Sequence, residues 1–189
     1  MSLHPLLRWL PLLLMAFSCS APAAAPETAT RDAMTYFFDA NTGDLKAELA
    51  DAKAAGKKAI LFMYEQEGCP ACFYMKQNVL NRVDVQNLYH ANFVSFTIDI
   101  HGAVPLKDFS GRDISEKAFA ARTKIRATPT FVFHDLGGAE IARVVGSVEV
   151  DEFKLLAEFI ASGAYKTRQF AAYKQSVKAE SAKQQQMKN

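Results

Sequence analysis

Ala59-Ile60-Leu61-Phe62-Met63-Tyr64-Glu65-Gln66-Glu67-Gly68-Cys69-Pro70-Ala71-Cys72 is the stretch on which the reading of this chain turns. Its first six residues form an unbroken apolar run of strand length, the pattern of a strand buried on both faces. A short polar loop then leads into two cysteines separated by Pro70 and Ala71. Beyond them Phe73, Lys76, Val79 and Leu80 fall at helical spacing, so the cysteines stand where a strand hands over to a helix. At a helix entrance the unsatisfied N–H groups and the macrodipole favour a thiolate. Pro70, near the helix start, gives up no intrahelical hydrogen bond. A helix also brings Cys72 close to Cys69, so a disulfide between them opens and closes with little backbone movement. The expected roles are Cys69 as the exposed attacking thiol and Cys72, one turn further in, as the resolving thiol.

Cysteine arithmetic supports a reactive pair. The chain has 189 residues and three cysteines. The third, Cys19, falls in a segment that does not read as part of a fold. Arg8 supplies a positive start, Trp9 to Phe17 form a short apolar run, and small residues lead to Ala23-Ala24-Ala25. This is the layout of a cleaved secretory signal over residues 1–25, with Pro26 shifting the cut toward Ala23 as an alternative. The run is shorter than the ~20 residues a membrane span needs. Ala16-Phe17-Ser18 before Cys19 is a poor lipidation context. Cleavage leaves Cys69 and Cys72, and a staple enclosing so short a loop gains little from chain entropy. The competing readings are an inert pair or half of a zinc site. A zinc site wants four ligands, and no second C-x-x-C or close histidine pair accompanies this one, so no metal and no other cofactor is expected.

Working outward, residues 26–43 read as a lead-in whose later part, with Tyr36, Phe37 and Phe38, docks on the domain. Asp44 is placed to cap a helix from Leu45 to about Ala55, ended by Gly56. Asp84 is expected to cap a short helix through Leu88. Phe93 to Ile100 alternates as a strand, residues 101–113 with Gly102, Pro105 and Gly111 read as loop, and Ile114 to Lys124 reads as helix. Thr130 to His134 and Glu140 to Val145 flank the turn residues Asp135-Leu136-Gly137-Gly138 as a hairpin. Val150 to Ser162 is an amphipathic helix with Phe153, Leu156, Ala157 and Ile160 inward. The polar remainder, 164–189, is a C-terminal extension that packs through Tyr165, Phe170 and Tyr173 and ends mobile. Half the residues are hydrophobic and the formal charge is only +2, without a basic cluster, which argues against nucleic acid as a partner.

A second constellation, Lys124-Ile125-Arg126-Ala127-Thr128-Pro129-Thr130-Phe131-Val132-Phe133, makes the likeness specific. With the cysteine motif and Gly146 ahead of the last helix, the chain resembles the thioredoxin-like family over about residues 44–162, with an insertion near 101–113. The resemblance implies an α/β thioredoxin fold over 44–163, a central mixed β-sheet flanked by helices. It implies a cis-proline at Pro129 facing the cysteines. It also implies that Thr128 and Pro129 hold a substrate strand through backbone hydrogen bonds, with Gly68, Pro70 and Ala71 forming the active-site loop. The Glu-Gln-Glu-Gly-Cys-Pro-Ala-Cys loop and the Ala-Thr-Pro-Thr segment look like the SoxW-type thioredoxins. That likeness implies a periplasmic reductant that takes electrons from a membrane thiol transporter and delivers them to a disulfide-bearing periplasmic protein.

The departures matter as much. Where the family has a tryptophan before the first cysteine, this chain has Gly68. Met63 occupies the place of its buried acid, and Ser95 aligns with its strand lysine. Glu65 or Glu67 would serve for the missing carboxylate through water; as ordinary loop acids they would simply be solvated. Acids beside a helix N-terminus oppose a thiolate, and Pro70-Ala71 lacks the histidine of strongly oxidising relatives, so reduction is the expected direction. The alternatives are an oxidant or isomerase on the same scaffold, or a dithiol metal carrier or chaperone. Isomerases of this fold are usually dimers with an added dimerisation domain, for which the lead-in leaves no room, so isomerase is the weaker of these; a monomer is expected.

Overall fold

The computed structural model describes residues 29–188; the expected signal segment, residues 1–25, lies outside the described residues. The apolar run is the strand β1 (Ala59–Glu65), buried at every residue but the last. It lies inside a four-stranded sheet of order β2-β1-β5-β6, formed with β2 (Phe93–Asp99), β5 (Thr130–His134) and β6 (Glu140–Val145). β1 pairs in parallel with β2, from Ala59 opposite Phe93 to Glu65 opposite Asp99, and antiparallel with β5. β6 returns from β5 as the expected hairpin.

Because side chains alternate across a strand, β1 divides its residues between two cores. Ala59, Leu61 and Met63 join Phe131 and Phe133 on one face. That face is covered by the helices α1 (Ala33–Tyr36), α3 (Pro70–Asn78), α4 (Val83–Asn92) and α6 (Val150–Ala161). Tyr89 of α4 stacks on Phe153 of α6 at 4.4 Å and donates its hydroxyl to the Phe153 carbonyl at 2.9 Å, so a buried polar tip is satisfied within the aromatic layer. Ile60, Phe62 and Tyr64 face the other core, under α2 (Leu45–Ala54) and α5 (Glu116–Arg122). Asp44 caps α2 as its sequence position predicts, accepting from the N–H groups of Lys46 and Ala47. The fold class read from the sequence, a thioredoxin fold with a mixed sheet between helical layers and a C-terminal helix, is the one observed.

The lead-in docks from Thr30 onward, where it bridges Arg82. Phe37 is fully buried, and Asp39 covers the outer edge of β2 by donating its N–H to the Ser95 carbonyl and accepting from the Ser95 N–H. An edge strand closed in this way presents fewer unpaired groups to another chain.

The structure corrects several boundaries. Residues 101–113 are not all loop: β3 (Pro105–Lys107) and β4 (Asp113–Ser115) form a small antiparallel sheet. The helix expected from Ile114 therefore begins only at Glu116, capped by Ser115. Asp84 does not cap α4, since Arg82 occupies the N-cap position. Asp84 instead lies in the first turn, bound to Arg82 and to Lys154 of α6, and the helix runs past Leu88 to Asn92. α6 ends one residue before the Ser162 expected. The buried residues of α3 are Cys72 and Met75, with Val79 and Leu80 buried just past its end, while Phe73 is 66% exposed. After Gly163 a 3-10 turn (Ala164–Lys166) leads to α7 (Phe170–Lys188), where Phe170 and Tyr173 pack on Phe159. No helix among the described residues is long and apolar enough to cross a membrane.

Candidate active site

Cys69 is the N-cap of α3 and Pro70 its first helical residue. The positive φ of Gly68, +68°, lets the loop turn sharply into that cap, a conformation other residues adopt only with strain. Cys69 and Cys72 are disulfide-bonded, with Cα atoms 5.3 Å apart. Their environments differ as the helix geometry requires. Cys69 is half-buried at the surface, whereas Cys72 is 3% exposed and part of the core that contains Met63 and Met75.

The Cys69 sulfur accepts two hydrogen bonds, from the Cys72 N–H at 3.1 Å and from the Thr128 hydroxyl at 3.3 Å. Both donors stabilise negative charge better than a neutral sulfur, and they add to the field of the helix N-terminus. Thr128 lies two residues before the start of β5. The Thr128–Pro129 peptide bond is cis, Pro129 is buried, and its carbonyl accepts from the Gly146 N–H at 2.8 Å. Two contacts fix α3 against the loop before α6: Tyr74 donates its hydroxyl to Glu149, and the Met75 sulfur accepts from the Val148 N–H. Tyr74 thereby has its phenol raised by the Glu149 hydrogen bond, with burial adding to it.

The site residues named from the sequence therefore come together: Gly68, Cys69, Pro70, Ala71 and Cys72 in one turn, with Thr128 against the leading sulfur. Sequence reasoning placed Thr128 as a backbone contact for substrate; its hydroxyl contact to Cys69 was not part of that reading. It also did not foresee Lys76, whose Nζ lies 2.5 Å from Glu65 Oε2. Glu65, Gln66, Gly68, Pro70, Phe73 and Lys76 line a cleft of about 380 Å³ that reaches both cysteines. Of the two loop acids, Glu67 is exposed and Glu65 is held by that lysine. Met63 and Met75 are fully buried packing residues. Among the described residues no group of three or more His, Cys, Asp or Glu side chains is arranged to hold a metal ion.

A half-exposed sulfur activated by two donors, above a buried sulfur one helical turn away, can attack a disulfide and then release the partner. Comparison with known proteins bears on the fold and the family. Residues 45–161 match the thioredoxin-like domain family. No curated protein matches the chain. A thioredoxin-fold protein from Helicobacter pylori superposes with a TM-score of 0.56 at 21% identity, over 66% of this chain and 82% of that one. A thioredoxin from Thermus thermophilus is 31% identical, with a TM-score of 0.46 over 58% of this chain and 78% of that one. The oxidised C-terminal domain of Neisseria meningitidis DsbD gives 0.48 at 20% identity, over 61% and 92%. The chain belongs to the thioredoxin-like domain family, with Cys69 and Cys72 as its CxxC-spaced disulfide.

Proposed function

We propose that this protein is an exported thiol–disulfide oxidoreductase that reduces disulfides of partner proteins in the periplasm, in the manner of the SoxW-type thioredoxins. The observation that carries the reading is the asymmetry of the pair, with Cys69 accessible and hydrogen-bonded beside Thr128 and Cys72 buried behind it. The Cys69 thiolate attacks one sulfur of the partner's disulfide, forming a mixed disulfide and expelling the partner's other sulfur as a thiolate. The Cys72 thiolate then attacks Cys69, closing the internal disulfide and releasing the second partner thiolate. Two electrons pass from this protein to its partner. A membrane thiol-electron transporter would return them, and the protein would work as a monomer.

Direction is set by how strongly the thiolate is stabilised in the reduced form. Pro70 and Ala71 place no cation beside Cys69, which favours a reductant. The Lys76 ion pair offsets the negative charge of Glu65, so the loop acids support reduction less than their number suggests. The two donors on the Cys69 sulfur favour the second reading, an oxidant on the same scaffold. Equilibration of residues 26–189 with glutathione buffers, read by thiol trapping and gel shift, decides between them. A reductant lies below about −220 mV and is found reduced in cells; a value near −120 mV, or a fully oxidised cellular pool, overturns the proposal.

A further inference from the structure

Phe73 is the most exposed aromatic side chain among the described residues, at 66%, and the exchange chemistry above makes no use of it. A lone exposed phenylalanine needs no explanation on a protein surface. This one stands beside the reacting sulfur. Its N–H donates to the Cys69 carbonyl at 3.1 Å, so the two residues are one turn apart on α3, and residues four apart share a helix face. Helical side chains also lean toward the N-terminus, the end at which Cys69 sits.

Phe73 lines the cleft of about 380 Å³ that reaches both cysteines, and Pro70 adds a second apolar surface to it. Gly68 leaves its side of the cleft open, since a Cβ built there would meet nothing within 4 Å. The charged groups of the lining, Glu65 and Lys76, are spent on each other at 2.5 Å. A charged occupant would therefore be desolvated without a counter-ion of its own, whereas an apolar occupant gains by leaving water. The volume is at the low end of ligand-sized sites, enough for one large side chain.

We infer that this cleft is a specificity subsite for a bulky apolar side chain, aromatic by preference, next to the cysteine that Cys69 attacks, and that Phe73 is the residue that selects it. The inference rests on the exchange chemistry proposed above and deepens it. The bonds made and broken are the same; what is added is a choice among partner disulfides. Backbone hydrogen bonds at Thr128 and Pro129 would hold any extended segment, because each residue offers the same peptide groups. Choosing between side chains needs a pocket, and this one is continuous with the sulfur at which a partner must arrive. A ring that enters it meets the Phe73 ring, and an aromatic pair is worth more than its buried area alone.

Symmetrical peptide disulfides test this. They are made from acetyl-Gly-X-Cys-Gly-amide and acetyl-Gly-Cys-X-Gly-amide, with X as phenylalanine, alanine, lysine or glutamate. Each is mixed with the reduced protein, and single-turnover oxidation is followed by acid quench and thiol trapping. Dividing by the rate with dithiothreitol removes the intrinsic reactivity of each disulfide. In at least one order the phenylalanine peptide is expected to react about tenfold faster than the alanine peptide. Lysine and glutamate should gain nothing over alanine. Phe73→Ala should reduce the ratio to about twofold or less, and Phe73→Tyr, which keeps the ring, should retain it. Because Phe73 is exposed, neither substitution removes core packing. A ratio near one in both orders in the parent overturns the inference. So does a ratio that survives Phe73→Ala, whether or not both rates fall together, since equal slowing marks a structural effect. A preference for lysine or glutamate over phenylalanine overturns the apolar assignment. If none of the peptides oxidises the parent, the exchange chemistry proposed above fails, and the subsite with it.

Discussion

Thr128→Val removes one hydroxyl and keeps the shape of the side chain, so it isolates the contact between Thr128 Oγ1 and the Cys69 sulfur. In the disulfide that sulfur is a weak neutral acceptor; in the thiolate it carries a full charge, and the same donor is worth more. A hydrogen bond to a charged group contributes roughly 1.5–3 kcal/mol, and a long bond of 3.3 Å to a diffuse sulfur belongs at or below the lower limit. A differential of about 1.4 kcal/mol corresponds to about one pH unit in the Cys69 thiol. Where the thiolate predominates, the same quantity is about 30 mV in the two-electron potential. The sign follows from which state loses the donor's help. The reduced thiolate is destabilised relative to the disulfide, so the thiol pKa rises and the protein becomes more reducing. The assay is the pH dependence of iodoacetamide alkylation at Cys69 in a Cys72→Ser background, a reagent too small to need the partner-binding surface. Thr128→Ser keeps the hydroxyl and should behave like the parent. An unchanged or lowered pKa in Thr128→Val, or an equal shift in Thr128→Ser, would refute the argument.

Three further outcomes follow from groups away from the sulfur. Partial desolvation raises the Asp108 carboxyl, but hydrogen bonds from Ser110 and Arg112 and the charge of Arg112 outweigh it and hold the group well below its model-peptide value of 3.8. Its stabilising contribution is present above that value and is lost as pH falls below it, so Asp108→Asn should flatten the acid limb of a chemical-denaturation series. His134 donates Nδ1–H to the Gly138 carbonyl while its buried Nε2 has no partner, and burial lowers its pKa from 6.5, so stability should decline as pH drops below that value. In urea melts at pH 5 and 7.5, His134→Phe should reduce that decline, and an unchanged difference would refute it. Gly138 has φ +87°, and an added Cβ would lie 3.1 Å from the Phe109 ring, so Gly138→Ala should cost about 1–3 kcal/mol in equilibrium denaturation.

The parts of this fold that were legible are those in which one local pattern settles the matter. The run from Ala59 to Tyr64 is apolar at every position because both faces of β1 are covered, and Asp44 caps α2 with contacts within three residues. Other features depend on partners far along the chain. The strands at Pro105 and Asp113 are three residues each, too short for a period. They are held by the Lys107 N–H on the Gly43 carbonyl and by Asp108 bound to Arg112 and Arg122. Asp84 looked like a cap because its type suits one, yet its carboxylate serves Lys154, 70 residues away. Spacing placed Phe73 on the helix without saying which face it takes, and the inward position next to it belongs to Cys72. At the site, the cysteine turn could be read directly from residue types. The Thr128 hydroxyl contact spans 59 residues, and the Glu65–Lys76 pair joins the end of β1 to α3 across the cysteine loop.

These two contacts fall on different members of the pair. Thr128 and the helix N-terminus act on Cys69, the sulfur that meets the partner, and so bear on how readily the first attack occurs and on the potential. Glu65 and Lys76 share a cleft with Cys72, the sulfur that releases a captured partner. A single buried carboxylate beneath both sulfurs would couple these quantities, because its charge opposes both thiolates. Met63 removes that charge from the core, and the acid stands one pleat outward with a lysine beside it. The arrangement should let potential and release rate vary independently: Thr128→Val should move the potential with little effect on release, and Glu65→Gln should do the reverse. Mutants that shift both together would mean that the two sulfurs still answer to one common field, and that the separation seen in the geometry has no counterpart in the chemistry.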